Sequence, residues 1–162
     1  YSNEVKPDYT WDGRVMPFLD AEFDSVLATE VLEHCPTPDE FLREISRVLK
    51  PQGTLFMTVP FLWPLHEIPY DMYRYTPWSL SNLLEDADFE NIEIRALGGW
   101  NASMAQMLGL WIRRSGMSDR KREMLSVLMK PVISYLIKRD TIPEKFSDNT
   151  MVTGFSVNAS RK

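Results

Sequence analysis

Phe23-Asp24-Ser25-Val26-Leu27-Ala28-Thr29-Glu30-Val31-Leu32-Glu33-His34 decides the fold. Val26, Leu27 and Ala28 form a continuous apolar run, the pattern of a short strand covered on both faces. The run gives way to an acidic, histidine-bearing segment. A helix and a second apolar strand follow at once, which makes a strand–loop–helix–strand unit with a right-handed parallel crossover. In an open α/β sheet, ligands bind beyond the carboxyl ends of the strands. Thr29 to His34 therefore marks the edge where chemistry is expected.

Downstream, Thr37 is the predicted N-cap of a helix, Pro38 suits its first position, and Glu40 completes a T-x-x-E capping box. Phe41, Leu42, Ile45, Val48 and Leu49 share one helical face, with Arg43, Glu44, Ser46 and Arg47 on the other. Lys50-Pro51-Gln52-Gly53 is read as the stop, and Thr54 to Val59 as a buried strand. Pro60 to Tyr75 is long, aromatic and rich in Pro. It leaves the carboxyl end of that strand, on the same edge as Thr29 to His34. Thr76-Pro77 opens a helix running to about Asp86. Asn91 to Leu97 alternates as a strand does, and Gly98-Gly99 breaks it. Residues 101–115 and 119–138 are helical in pattern, with Gly116 between them and a kink expected at Pro131. Met151 to Ala159 alternates again and reads as a terminal strand, with an antiparallel setting open to it. Upstream, residues 1–11 read as loop and Asp12-Gly13 as a turn.

The 162 residues suffice for one domain with a real core. A single domain is expected, with residues 1–98 and 148–162 as the α/β part and 99–147 as a helical insert. The net charge of −5 argues against a nucleic-acid groove as the main business, because phosphate binding needs a basic footprint. The single cysteine, Cys35, excludes an intrachain disulfide and suits a reducing, cytoplasmic setting. No Cys/His cluster has zinc-ligand spacing, so no metal is expected. No apolar run is long enough to span a membrane.

Asp12-Gly13-Arg14-Val15-Met16-Pro17-Phe18-Leu19-Asp20-Ala21-Glu22-Phe23-Asp24, then Val31-Leu32-Glu33-His34, then Arg47-Val48-Leu49-Lys50-Pro51-Gln52-Gly53 occur in an order and spacing that resemble the class I S-adenosylmethionine-dependent methyltransferases of the type 11 group. The resemblance covers roughly residues 8–98. It implies a Rossmann-like three-layer α/β fold, S-adenosylmethionine as cofactor, and methyl transfer. Pro60-Phe61, His66, Pro69, Asp71, Arg74 and Tyr75-Thr76 resemble a narrower subgroup that modifies sugars or cell-surface polymers, which implies a small-molecule or sugar-containing acceptor. The family's first strand ends in a glycine-rich loop, followed later by an acidic residue for the ribose. This sequence contains neither, and the family pattern would place both upstream of Tyr1. The chain is therefore expected to be the second half of the fold, truncated at the N-terminus, with a sheet edge exposed to self-association.

The resemblance assigns the adenine amino group to Asp12 and a ring nitrogen to the backbone of Gly13; a plain Asp-Gly turn is the bland reading. It sets the backbone of Thr29, Glu30 and Val31 against the cofactor. Glu33 and His34 are read as loop-tying residues, with substrate contact by His34 as the other reading. His66, Asp71 and Arg74 form the expected catalytic group: a histidine near neutral pKa accepts the acceptor's proton, Asp71 orients it, and Arg74 holds an anionic group. The competing reading has Asp71 and Arg74 paired to pin a long loop. Trp63, Tyr70, Tyr73 and Trp100 are candidates for stacking on a sugar or ring, or for core packing. Two functions from different classes stay open: a methyltransferase, and a non-catalytic or degenerate domain serving interaction or oligomerisation through the helical insert. A nicotinamide-dependent oxidoreductase lacks its G-x-G-x-x-G.

Overall fold

A computed structural model describes residues 6–11 and 13–162. Four strands form one sheet in the order β1-β2-β4-β3, with β1 at Phe23–Thr29, β2 at Leu49–Pro60, β3 at Phe89–Leu97 and β4 at Gly154–Arg161. β1 and β2 are parallel, and β4 runs antiparallel to both β2 and β3. The helices are α1 (Pro38–Val48), α2 (Pro77–Asp86), α3 (Trp100–Arg114) and α4 (Asp119–Lys138), so the mixed α/β fold and the helical pair before the last strand are as expected.

Alternation along β2 builds the core. Leu55, Met57 and Val59 are fully buried on one face, against Leu42 and Ile45 of α1 and Leu80 and Leu84 of α2 in one apolar cluster. Phe56 on the opposite face is 42% exposed. The apolar run in β1 behaves likewise: Ala28 is buried, but Leu27 is 71% exposed. Cover on both faces of β1, the sequence expectation, is not met among the described residues. β1 also pairs on one side only among them.

Three local expectations differ in detail. The Thr37 hydroxyl donates to the Glu40 carboxylate at 3.0 Å and makes no cap bond to the backbone, so the capping box does not form there. It does form at α2, where Thr76 and Ser79 bond each other's backbone amides. The predicted stop at Lys50 to Gly53 lies inside β2 as a bulge: Phe23 pairs with Leu49, but Ser25 already pairs with Thr54. Gln52 takes a left-handed φ of 63° within it. Ser46, expected on the outer face of α1, is buried.

Candidate active site

The carboxyl end of β1 turns sharply. Glu30 has φ 53°, and its amide donates to the Thr58 carbonyl of β2. Leu32–His34 then forms one 3-10 turn. The long loop from β2 is bolted onto that turn. The amides of Met72 and Tyr73 both donate to the Glu33 carbonyl, at 2.9 and 3.2 Å. The hydroxyl of Tyr75 donates to the Leu32 carbonyl and that of Tyr73 to the Pro36 carbonyl. These bonds carry residues 60–75 back over residues 31–36.

The docking brings three ionisable side chains to one point. His34 Nε2 lies 3.7 Å and His66 Nε2 4.0 Å from Glu33 Oε1, and the two rings meet edge to face at 4.7 Å. His34 Nδ1 bonds the Tyr70 carbonyl at 3.1 Å, and His66 Nδ1 bonds Asp71 Oδ2 at 3.2 Å. A carbonyl and an ionised carboxylate only accept, so both rings carry a proton on Nδ1, and in the neutral ring Nε2 then holds the lone pair. Asp71 is held ionised by Arg74, whose two terminal nitrogens bond it at 2.6 and 2.8 Å. This guanidinium, above all, keeps the Asp71 carboxyl well below the usual carboxylate range. Glu33 is the opposite case. It is fully buried, and burial pushes its carboxyl up. Among the other described residues, none donates a hydrogen bond to either of its oxygens.

A cavity of about 560 Å³ opens in front of the cluster, lined by Glu30, Val31, His34, Pro36, His66, Glu67 and Tyr70. Of the residues singled out in the sequence, the fold thus gathers Glu30, Val31, His34, His66 and Tyr70 around one space, with Thr29 next to it in sequence and Asp71 and Arg74 behind His66. Asp71 and Arg74 pair within the loop, as the competing reading has it, and Asp71 Oδ2 also bonds His66 Nδ1. Trp63 does not line the cavity: Arg114 of α3 stands over its ring at 5.8 Å, and its carbonyl accepts from Arg74. Gly13 is exposed, with φ 87°. Asp12 lies outside the described residues. Glu33 was not among the expected site residues. Its only sequence signal is a charge between Leu32, which is core, and His34.

Comparison with known proteins follows the same lines. The family model described as "Methyltransferase domain" matches residues 4–57. The ubiquinone/menaquinone biosynthesis C-methyltransferase UbiE of Paraburkholderia phymatum is 32% identical over 87 residues, which is 52% of this chain and 36% of that protein. The matched stretch therefore spans about a third of that relative's length. The methyltransferase GfsG of Streptomyces halstedii is 41% identical over 44 residues, 16% of its length. Among solved structures, a SAM-dependent methyltransferase of Thermotoga maritima superposes with a TM-score of 0.56 at 14% identity, covering 93% of this chain and 61% of that one. At that identity the likeness speaks for the fold.

Proposed function

We propose that this chain, a relative of the class I S-adenosylmethionine-dependent methyltransferases, forms the acceptor-facing part of a methyl-transfer site. One observation carries the reading: the carboxyl end of β1 and the His34–His66 pair open onto the same cavity. S-adenosylmethionine, when bound, supplies a methyl carbon on a positively charged sulfur. The residues present suit one side of it. Glu30 brings an exposed carboxylate to the cavity, which complements positive charge, and the exposed side chain of Val31 offers an apolar wall. Thr29, Glu30 and Val31 hold the cofactor in this reading, with Asp12 and the open backbone of Gly13 on its adenine.

Methyl transfer is a displacement at carbon that rests mostly on proximity and alignment. A hydroxyl acceptor must also lose its proton. His66 Nε2 receives it as the oxygen bonds to carbon. Asp71 fixes the tautomer that leaves this lone pair free, and Arg74 keeps Asp71 ionised, so both are positioning residues. His34 and Tyr70 bound the acceptor, a small-molecule or sugar-containing alcohol. The second reading, an interaction module, is favoured by α4, which has no buried residue and exposes Met124, Val127, Leu128 and Val132.

In the whole protein, His66→Ala is expected to lower turnover by about 10²–10⁴-fold, while S-adenosylhomocysteine affinity stays within a few-fold. Single-turnover kinetics and calorimetry read the two quantities. Unchanged turnover removes His66 from proton transfer.

A further inference from the structure

We infer that Glu33, His34 and His66 form a divalent-cation site of the two-histidine, one-carboxylate kind, open to the cavity. Their ligand atoms all lie within 4.8 Å of one another. Zinc binds nitrogen and carboxylate oxygen at about 2.0–2.2 Å, so two ligands of a tetrahedral ion stand roughly 3.4 Å apart. The two N···O separations, 3.7 and 4.0 Å, exceed that by a few tenths of an ångström, and the third lies within 4.8 Å, so binding would draw the three side chains together.

The surroundings are those of ligands. Each ring donates Nδ1–H to a fixed acceptor, the Tyr70 carbonyl or Asp71, which aims the Nε2 lone pair inward. Metal-bound histidines are oriented in this way. Glu33 brings a fully buried carboxylate that no donor among the other described residues satisfies. With both rings neutral and Glu33 ionised, lone pairs on two nitrogens and a carboxylate converge, an arrangement that calls for positive charge. Cys35 is not a fourth ligand: its thiol donates to the Val31 carbonyl. Two imidazoles and one carboxylate suit zinc or cobalt better than calcium or a soft monovalent ion. Three protein ligands leave a position facing the cavity, as catalytic zinc sites do.

The inference rests on the acceptor-site reading and deepens it. With a cation bound, His66 Nε2 would serve as its ligand instead of taking the acceptor's proton, and the open position would receive the acceptor hydroxyl, whose O–H bond the cation's charge would weaken and whose proton would leave to water.

The test is a titration of the metal-stripped protein with Co²⁺, followed by visible absorption, with Zn²⁺ as competitor. The expected result is a spectrum of low coordination number saturating at one Co²⁺ per chain and displaced by Zn²⁺. Its affinity should fall by about tenfold or more in His34→Ala and in Glu33→Gln, with circular dichroism unchanged. Should Glu33→Gln fail to fold, His34→Ala decides. A spectrum of hydrated Co²⁺ only, or equal affinity in the variants, overturns the site. Calorimetry with S-adenosylhomocysteine and the same Co²⁺ titration, both on the whole protein, separate the two readings. Cofactor binding without Co²⁺ binding overturns the cation site alone, and the reverse result supports the cation site and removes the methyl-transfer reading.

Discussion

Arg47 shows how much structure a single side chain organises. Its guanidinium bonds both Glu44 oxygens, Asp20 Oδ1 at 2.7 Å, and the carbonyls of Met16 and Phe18. The Met16 amide adds a bond to Glu44. Together they fasten residues 16–20 onto α1, just before β1 enters the sheet. The bond from Arg47, first of all, lowers the Glu44 carboxyl from its ordinary 4.5. A carboxyl depressed in the folded state stabilises it above the unfolded pKa, and that contribution is lost as pH falls through the folded value. Glu44→Gln is therefore expected to cost about 1–2 kcal/mol near neutrality, allowing for the partly exposed guanidinium. The difference should shrink as pH drops below 4.5. Urea unfolding of both proteins across that range measures it, and a pH-independent difference refutes the assignment. Site residues differed in legibility at this scale. His66 and Asp71 stand five apart on one loop, and their pairing was readable. Glu33 and His34 meet His66 only because Met72 and Tyr73 dock on the Glu33 carbonyl. No local spacing encodes that contact, so the buried carboxylate at the centre of the site was read as a loop tie.

Elements were legible where their signals are local. Thr76-Pro77 and Ser79 specify the start of α2 by their own bonds, and the alternation of β4 gave both its position and its buried face. The beginning of β2 was not legible, because the bulge at Lys50 to Gly53 is a turn held within a ladder by β1. Close approach at the other end of β2 makes a sharper claim. Gly154 pairs with Pro60 on one side and Leu97 on the other. A Cβ there would stand 2.6 Å from the Val59 carbonyl oxygen, which is backbone and cannot swing aside. Gly154→Ala is expected to destabilise by about 1–3 kcal/mol, the usual range for overpacking. Gly109 lies inside α3 with open space where its Cβ would be, so Gly109→Ala should instead stabilise by about 0.5–1 kcal/mol. Denaturant midpoints at constant m-value decide both signs. Equal effects would refute the steric account.

Across the whole molecule, stability is divided unevenly. The sheet and α1–α2 share one apolar cluster, whereas α4 buries no residue and lies chiefly against α3. Polar bonds tie the two helices to each other at their ends and to the chain around them. Asp140, just past α4, accepts from the amides of Gly99 and Ala102 at the start of α3, and Trp100 donates to the Asn149 carbonyl. Gln106 donates to the Leu62 carbonyl, and Arg114 covers Trp63, so α3 also touches the loop that carries His66. Burial sets the opening free energy of each unit. Amides of α4 should therefore exchange through openings that cost well under the global unfolding free energy, and those of β2 and β4 through global unfolding. Native-state hydrogen exchange at rising denaturant reads this directly: α4 should show a small slope, and β2 the full one. The same slope in both would mean that α4 is covered and cooperative with the sheet, because only buried apolar surface joins two such units into one transition. Arg114 makes the division matter for the site. Loosening α3 along with α4 frees Trp63 and leaves the loop anchored by Tyr73 and Tyr75, so that Asp140→Ala should speed exchange in α3 and α4 while the bonds holding His66 over Glu33 persist.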